Sequence, residues 1–337
     1  MIKTSLIIPV YNEIKFIERT LLFAIEEGDE VIISDNASTD GTSEICQGYA
    51  KKYPRINYTR HNENMGSYEN FRFCLNKANG KYTRIIGGHD LISRGSSRSM
   101  SKILDENPDA VLSYSKKTLF VNSDYSFSFL YSAEEFKSDL SSDFPHIRVK
   151  SLVEKLCNCS IFYGLYKTEI FKKAINGRFV LEKIISDHVV LTNLAAIGKF
   201  IPDDSSTFYR IEPRIDDVSW VESCRRIIRS VKKLDDINLA NPYEWLFEII
   251  TGSYEVAKKV QCLLSTPKDF DKQILQIAIN RFGYPPGFDV TLKNVDIFQN
   301  KKHIADEVFS AIQIAKENML QKKSLYKKVI GKIWGTQ

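Results

Sequence analysis

Through the first 115 residues, short apolar runs alternate with amphipathic stretches, and this alternation constrains the fold more than any other feature of the chain. SLIIPV reads as a buried strand, and IKFIERTLLFAI carries Ile14, Ile17, Leu21 and Ile25 at helical spacing. EVIISD reads as a second strand. STDGTSEICQGYAKKY opens on residues that cap helices. INYTR is a third strand, and GSYENFRFCLNKANG a helix stopped at Gly80. YTRIIG is a fourth strand, SRSMSKILDEN a helix, and AVLSYS a fifth strand. Such alternation predicts an α/β domain with a mostly parallel sheet covered by helices on both faces. In sheets of this kind ligands bind beyond the carboxyl ends of the strands. Asp35, Asn64 and Asp90 each follow a predicted strand, so the sheet is expected to gather them along one edge.

Beyond residue 115 the pattern changes. Residues 116–150 are polar and Ser-rich and read as a long loop or small hairpins. Residues 151–211 return to regular structure, with SLVEKLCN as a helix, SIFYGLYKTEIF strand-like, SDHVVLTNLAAIG a helix and FYRI a strand. From about residue 218 the pattern is helical, broken at GYPPGFD. The expected organisation is one domain over 1–215, with halves at 1–115 and 116–215, and a helical region over 216–337.

Composition narrows the function classes. A chain of 337 residues with 43% apolar and 12% aromatic residues can bury a large core. A net charge of +5 is too small to argue for nucleic acid. The cysteines at 46, 74, 157, 159, 224 and 262 include no CxxC pair, so neither a structural zinc nor a disulfide framework is expected. Reduced thiols of a cytosolic protein are the simpler reading. NAS and NCS match the glycosylation sequon, a match that chance supplies often. The apolar run of MIKTSLIIPVYNE is short for a signal peptide and Pro9 interrupts it, and no segment reaches the length of a membrane span. A dinucleotide oxidoreductase shares the strand-helix alternation, but no GxGxxG follows the first strand.

IIPVYNE, IISDNASTDGT, NENMGSYENF with ANGKY, GGHD, and SDHVVLTNLAAIGKF with FYRI occur in the order and spacing of family 2 glycosyltransferases, which the chain resembles over roughly residues 1–215. The resemblance implies a GT-A fold and an inverting sugar transfer from a nucleotide sugar. Under it, Pro9, Tyr11 and Glu13 wall the nucleoside, and Asp35 accepts the N3 proton of uracil or thymine. The donor is then UDP- or dTDP-linked. Read alone, the same residues make a turn and a helix cap. Asn64 and Gly66 precede a helix, where a glycine allows close backbone approach and a helix N-terminus favours phosphate. Asn70, one turn further on, is read as solvent-facing.

GGHD stands where the family usually carries a DxD-type acidic motif. Asp90 occupies the position that would hold Mn²⁺ or Mg²⁺ against the diphosphate, and His89 replaces an acid. A neutral imidazole can ligate Mn²⁺, with less negative charge than a carboxylate. Contact to sugar or phosphate, and a plain turn, are the other roles open to His89. Asp187 falls in the slot of the catalytic base that takes the acceptor's proton; by itself it reads as a helix N-cap. Ser186 stands where an acid commonly precedes that base, and no QxxRW follows, so processive polymerisation is not expected. His188 is read as a helix-face residue or an acceptor contact. Arg210 is placed near phosphate or in a surface ion pair.

Residues 304–320 carry a helical apolar stripe that suits a core contact. In 321–337, Tyr326, Val329, Ile330, Ile333 and Trp334 share a helical face while Lys327, Lys328 and Lys332 lie mostly off it. That pattern suits an interfacial helix on an anionic membrane, or a helix packed on the domain with a solvated lysine face. The expected protein is a cytoplasmic transferase, peripheral on the inner face of the membrane, acting on a surface glycan or lipid-linked oligosaccharide. A non-catalytic module that binds nucleotide sugar or glycan is the alternative that GGHD raises.

Overall fold

The computed structural model describes residues 3–122, 127–132, 139–155, 159–176, 187–212, 243–263 and 266–282. The first strands are β1 (Thr4–Val10), β2 (Glu30–Asp35), β3 (Ile56–Arg60) and β4 (Tyr82–Ile85), separated by helices α1 (Ile17–Glu27), α2 (Thr42–Lys52) and α3 (Ser67–Lys77). They pair in parallel in the order β3-β2-β1-β4. Every residue of β2 is buried, as a strand with helices on both faces requires. The buried face of α1 is Ile17, Thr20, Leu21 and Ala24. Ile14, expected on that stripe, lies before the helix and is exposed.

The remaining elements are β5 (Leu91–Ile92), α4 (Ser96–Glu106), β6 (Ala110–Asn122), β7 (Phe127–Ser132), α5 (Pro145–Lys155), β8 (Leu165–Lys167), α6 (Thr168–Asn176), α7 (Asp187–Ile197), β9 (Lys199–Glu212), α8 (Tyr243–Gln261) and α9 (Phe270–Phe282). They extend the sheet to β3-β2-β1-β4-β8-β6-β9-β5, with β7 paired to β6. This half is mixed: β9 runs parallel to β6, while β8, β7 and β5 run antiparallel to their partners.

Three sequence expectations meet the structure here, and one of them changes. Within 116–150 the hairpin alternative holds for the described residues, since β6 continues to Asn122 and pairs antiparallel with β7. SIFYGLYKTEIF is not one strand; it divides into a 3-10 turn (Ser160–Tyr163), β8 and α6. Gly164 sits at the division, where an added Cβ would meet the Ser113 carbonyl oxygen at 2.4 Å, so the turn can lie against β6 only with glycine there. FYRI is the end of a 14-residue strand.

Helices α8 and α9 share one apolar core with α5 and α7. Ile250, Tyr254, Ala257, Phe270 and Ile274 cluster with Val149, Leu152, Val190 and Leu191. Gly252 lets α8 approach α7 closely, since a Cβ there would fall 2.6 Å from Val189 Cγ2. Among the described residues no helix is long and apolar enough to cross a membrane. The stripe at 304–320 and the basic tail at 321–337 lie outside the described residues.

Candidate active site

The carboxyl ends of β1, β2 and β4 form the floor of the site, and the turns that leave them are tied together. After β1, Asn12 takes a left-handed φ of 56°. Its N–H donates to Ser38 Oγ, and its Oδ1 accepts from the Thr39 N–H. The Glu13 N–H donates to Thr42 Oγ1 and the Ile14 N–H to Asp40 Oδ2. Tyr11 is exposed, whereas Pro9 pairs with Ser34 inside the sheet. The first strand-helix turn is thus fixed by the second, with Tyr11 exposed at its start and the Glu13 side chain directed to His89.

Asp35, at the end of β2, is engaged by the turn that follows it. It is fully buried. Its Oδ1 accepts the Ser38 N–H at 2.9 Å, and its Oδ2 accepts the hydroxyls of Ser43 and Tyr58, with Arg60 at 3.9 Å. Burial works against its charge, but the Ser38, Ser43 and Tyr58 hydrogen bonds outweigh it and hold the carboxyl below its usual range. In this structure Asp35 pins the 38–43 turn. Asn36 reaches across to the next turn, donating from Nδ2 to Asn64 Oδ1 at 2.7 Å and accepting the Met65 N–H. Asn64 also accepts the Gly66 N–H. Gly66 has φ 89°, a left-handed-side conformation that suits glycine, at the N-terminus of α3. Asn70 is not solvent-facing: it is buried, accepts the Ser34 hydroxyl and donates to the Ser34 carbonyl.

The GGHD turn follows β4. Thr20 of α1 donates its hydroxyl to the carbonyls of Gly88 and Asp90. Asp90 is 2% exposed, and its Oδ1 accepts the Ile211 N–H of β9 at 3.2 Å. A Cβ at Gly87 would lie 2.6 Å from Asp90 Oδ2, and one at Gly88 would lie 2.8 Å from Glu13 Cγ. A side chain at either glycine would therefore displace the acid beside it. His89 donates from Nδ1 to Glu13 Oε1 at 2.9 Å, and its Nε2 lies 4.0 Å from Asp90 Oδ1. Burial opposes a charge on His89, but Glu13 and Asp90 prevail and raise its pKa. Burial raises that of Asp90, with His89 and Arg210 pulling the other way.

Asp187 opens α7 and is half-buried. Burial lifts its pKa from 3.8 to about 6, while Arg210 draws it down. Tyr163 links the two acids. Its ring stacks on Phe208 of β9, and the charges of Asp90, Asp187 and Arg210 all act on its hydroxyl. His188, next to Asp187, lies with Nδ1 3.2 Å from Cys159 Sγ.

The structure therefore brings together Glu13, His89, Asp90 and Asp187 around Tyr163 and Arg210. It sets Asp35, Asn64 and Gly66 along the neighbouring turns. Arg210, placed near phosphate or in a surface ion pair from sequence, belongs to the acid cluster, and Tyr163 was not anticipated. Among the described residues no three His, Cys, Asp or Glu side chains gather closely enough to hold a metal by themselves. His89 and Asp90 suit a shared site instead. The carboxylate at Nδ1 fixes the neutral tautomer with its lone pair on Nε2, an arrangement typical of metal-binding histidines, and diphosphate oxygens would complete the shell.

Comparison with known proteins gives the family of the chain. The abequosyltransferase RfbV of Salmonella typhimurium is 36% identical over 121 residues, covering 34% of this chain and 36% of RfbV. The glycosyltransferase GlyA of Streptococcus pneumoniae is 28% identical over 174 residues, 50% of this chain and 22% of GlyA. The chain thus spans about a third or less of the length of these relatives. The mannosyltransferase PcManGT of Pyrobaculum calidifontis, solved with GDP-Man and Mn²⁺, superimposes with a TM-score of 0.50 at 16% identity, over 93% of this chain and 86% of that one. At that identity the likeness speaks to the fold. The model of Glycosyl transferase family 2 matches residues 5–173, half of the chain, and so this protein belongs to that family.

Proposed function

We propose that this protein is an inverting, non-processive glycosyltransferase that moves a sugar from a UDP-linked donor, or a dTDP-linked one, to a surface glycan or lipid-linked oligosaccharide. The observation that carries the reading is Asp187: a half-buried carboxyl with a pKa lifted to about 6, facing the same arginine as Asp90. A carboxylate held there is a stronger base than a solvated one and is still ionised at neutral pH.

Asp187 takes the proton of the acceptor hydroxyl as that oxygen bonds to the anomeric carbon. The bond from that carbon to the diphosphate oxygen breaks from the opposite face, and its electron pair leaves with the diphosphate. Tyr11 and the 38–43 turn flank the nucleoside. Asp35 reads the N3–H of the base only by exchanging one of its protein donors, of which the half-buried Tyr58 hydroxyl is the most accessible. Asn64 and Gly66 present the α3 N-terminus to phosphate. Asp90 and His89 Nε2 would hold Mn²⁺ or Mg²⁺, which when bound would offset the charge of the diphosphate. The basic tail at 321–337 would keep the enzyme at the cytoplasmic face of the membrane, near a lipid-linked acceptor.

A thermal-shift screen of nucleoside diphosphates and nucleotide sugars, with and without Mn²⁺, tests the reading, because ligands raise stability by mass action. UDP with Mn²⁺ is expected to stabilise the protein, less so after Asp90→Ala. Stabilisation by purine nucleotides and not by UDP would overturn the donor assignment. A second reading, a module that binds nucleotide sugar without transferring it, draws on the single carboxylate in GGHD. It gains if UDP binds and no acceptor mixture yields a product that Asp187→Ala abolishes.

A further inference from the structure

The side chains of β9 alternate across the sheet. Phe208 is buried and stacks on Tyr163 with ring centroids 4.7 Å apart and planes at 11°. Arg210, two residues on, shares that face. Its guanidinium lies over the ring of Phe120, its register partner on β6, 5.9 Å from the centroid. Ile211, the next residue, grips Asp90 through its backbone N–H. β9 is held to the far side of the site by its pairing with β5, Leu91 to Tyr209 and Ile92 to Phe208. Arg210 is thus set on a strand paired on both sides, over the Phe120 ring and next to the residue whose amide holds Asp90. Its charge reaches His89, Asp90, Asp187 and Tyr163.

We propose that Arg210 is a contact residue for the leaving diphosphate, a cation built into the protein that meets phosphate oxygens between Asp90 and Asp187. The inference rests on the nucleotide-sugar reading above. GGHD supplies one carboxylate and one imidazole, so any divalent cation there is held by less negative charge than two acids would give. The diphosphate gains charge as its bond to the sugar breaks, and a second cation then matters most. A guanidinium suits this position. It keeps its charge beside aromatic surface, and its planar fork matches two phosphate oxygens at once.

Binding of UDP and of uridine to the wild type, Arg210→Met and Arg210→Lys, each with Mn²⁺ and with EDTA, tests this by calorimetry. Arg210→Met is expected to weaken UDP by about 10–100-fold, the loss of a charge-assisted bidentate contact, in both media. Uridine, which lacks phosphate, is expected to bind the variant and the wild type alike. Arg210→Lys is expected to recover part of the loss. Equal UDP affinity in wild type and Arg210→Met overturns the proposal, and so does an equal loss for uridine, which would make Arg210 a structural residue. If Arg210→Met does not fold, Arg210→Lys decides: several-fold weaker UDP with unchanged uridine supports the contact, and wild-type UDP affinity overturns it. A wild type that binds no nucleoside diphosphate sinks the nucleotide-sugar reading itself, which is a separate result.

Discussion

Replacing Asp187 by Asn should abolish transfer and at the same time stabilise the protein. The carboxyl is half-buried at the start of α7, and its pKa stands at about 6 against an ordinary 3.8. At ~1.36 kcal/mol per pH unit, that displacement is a penalty of about 3 kcal/mol on the charged form, reduced by partial exposure to roughly 1–3 kcal/mol. The sign follows from linkage. A carboxyl raised by folding binds more protons in the native state, so its penalty is absent below 3.8, grows between 3.8 and about 6, and is complete above. Asn carries no charge and escapes the penalty. Asp187→Asn should therefore melt roughly 2–5 °C above the wild type at pH 7.5, with the gain vanishing by about pH 4. Transfer should fall by about 10²–10⁴-fold, the usual worth of a general base. In the wild type, transfer should drop tenfold per pH unit below about 6. Paired melting curves at the two pH values and an acid-side rate profile are the assay. A variant that keeps its transfer rate, or whose melting gain is the same at both pH values, would refute the assignment.

Asp35→Ala should cost about 2–4 kcal/mol in urea unfolding, because it strands Ser43, Tyr58 and the Ser38 N–H; an unchanged midpoint would show that the network contributes nothing. Since folding lowers the Asp35 pKa, this stability is present above 3.8 and lost as the pH falls below it. Gly88→Ala places a Cβ against Glu13 and should part it from His89, cutting transfer at least about tenfold with a modest loss of stability. Full activity in Gly88→Ala would exclude any need for the Glu13–His89 bond. Truncation after residue 320 should abolish co-sedimentation with anionic vesicles while UDP binding persists; unchanged co-sedimentation would remove the membrane role of the tail.

Local pattern made the first half of the fold legible. β1 to β4 are short, apolar and flanked by helices with clear periodicity, so each could be read by itself. β6 and β9 could be read only in part, as AVLSYS and FYRI. KKTLFVN and PDDSSTF mix charge with apolar residues, and they hold as strands because each pairs along the other from Ala110 to Asn122. Asp90 and Asp187 were found through motif order, since each alone resembles a turn residue or a cap. Arg210 gave little local signal: its setting depends on a stack with a residue of the 160–163 turn and on pairing with β5. Its alternation with buried Phe208 was the clue available. Asn70 likewise sits four residues before buried Cys74, on the inner line of α3, which marks it as inward-facing.

The Ile211 amide that seats Asp90 belongs to a strand 121 positions downstream. A chain that has completed β1 through β4 and the turn after it holds the turns proposed to face the nucleotide, yet Asp90 still lacks that hydrogen bond. The amide, Phe208 and Arg210 all belong to β9, the last strand among the described residues, so the surroundings of Asp90 are complete only when that strand is paired.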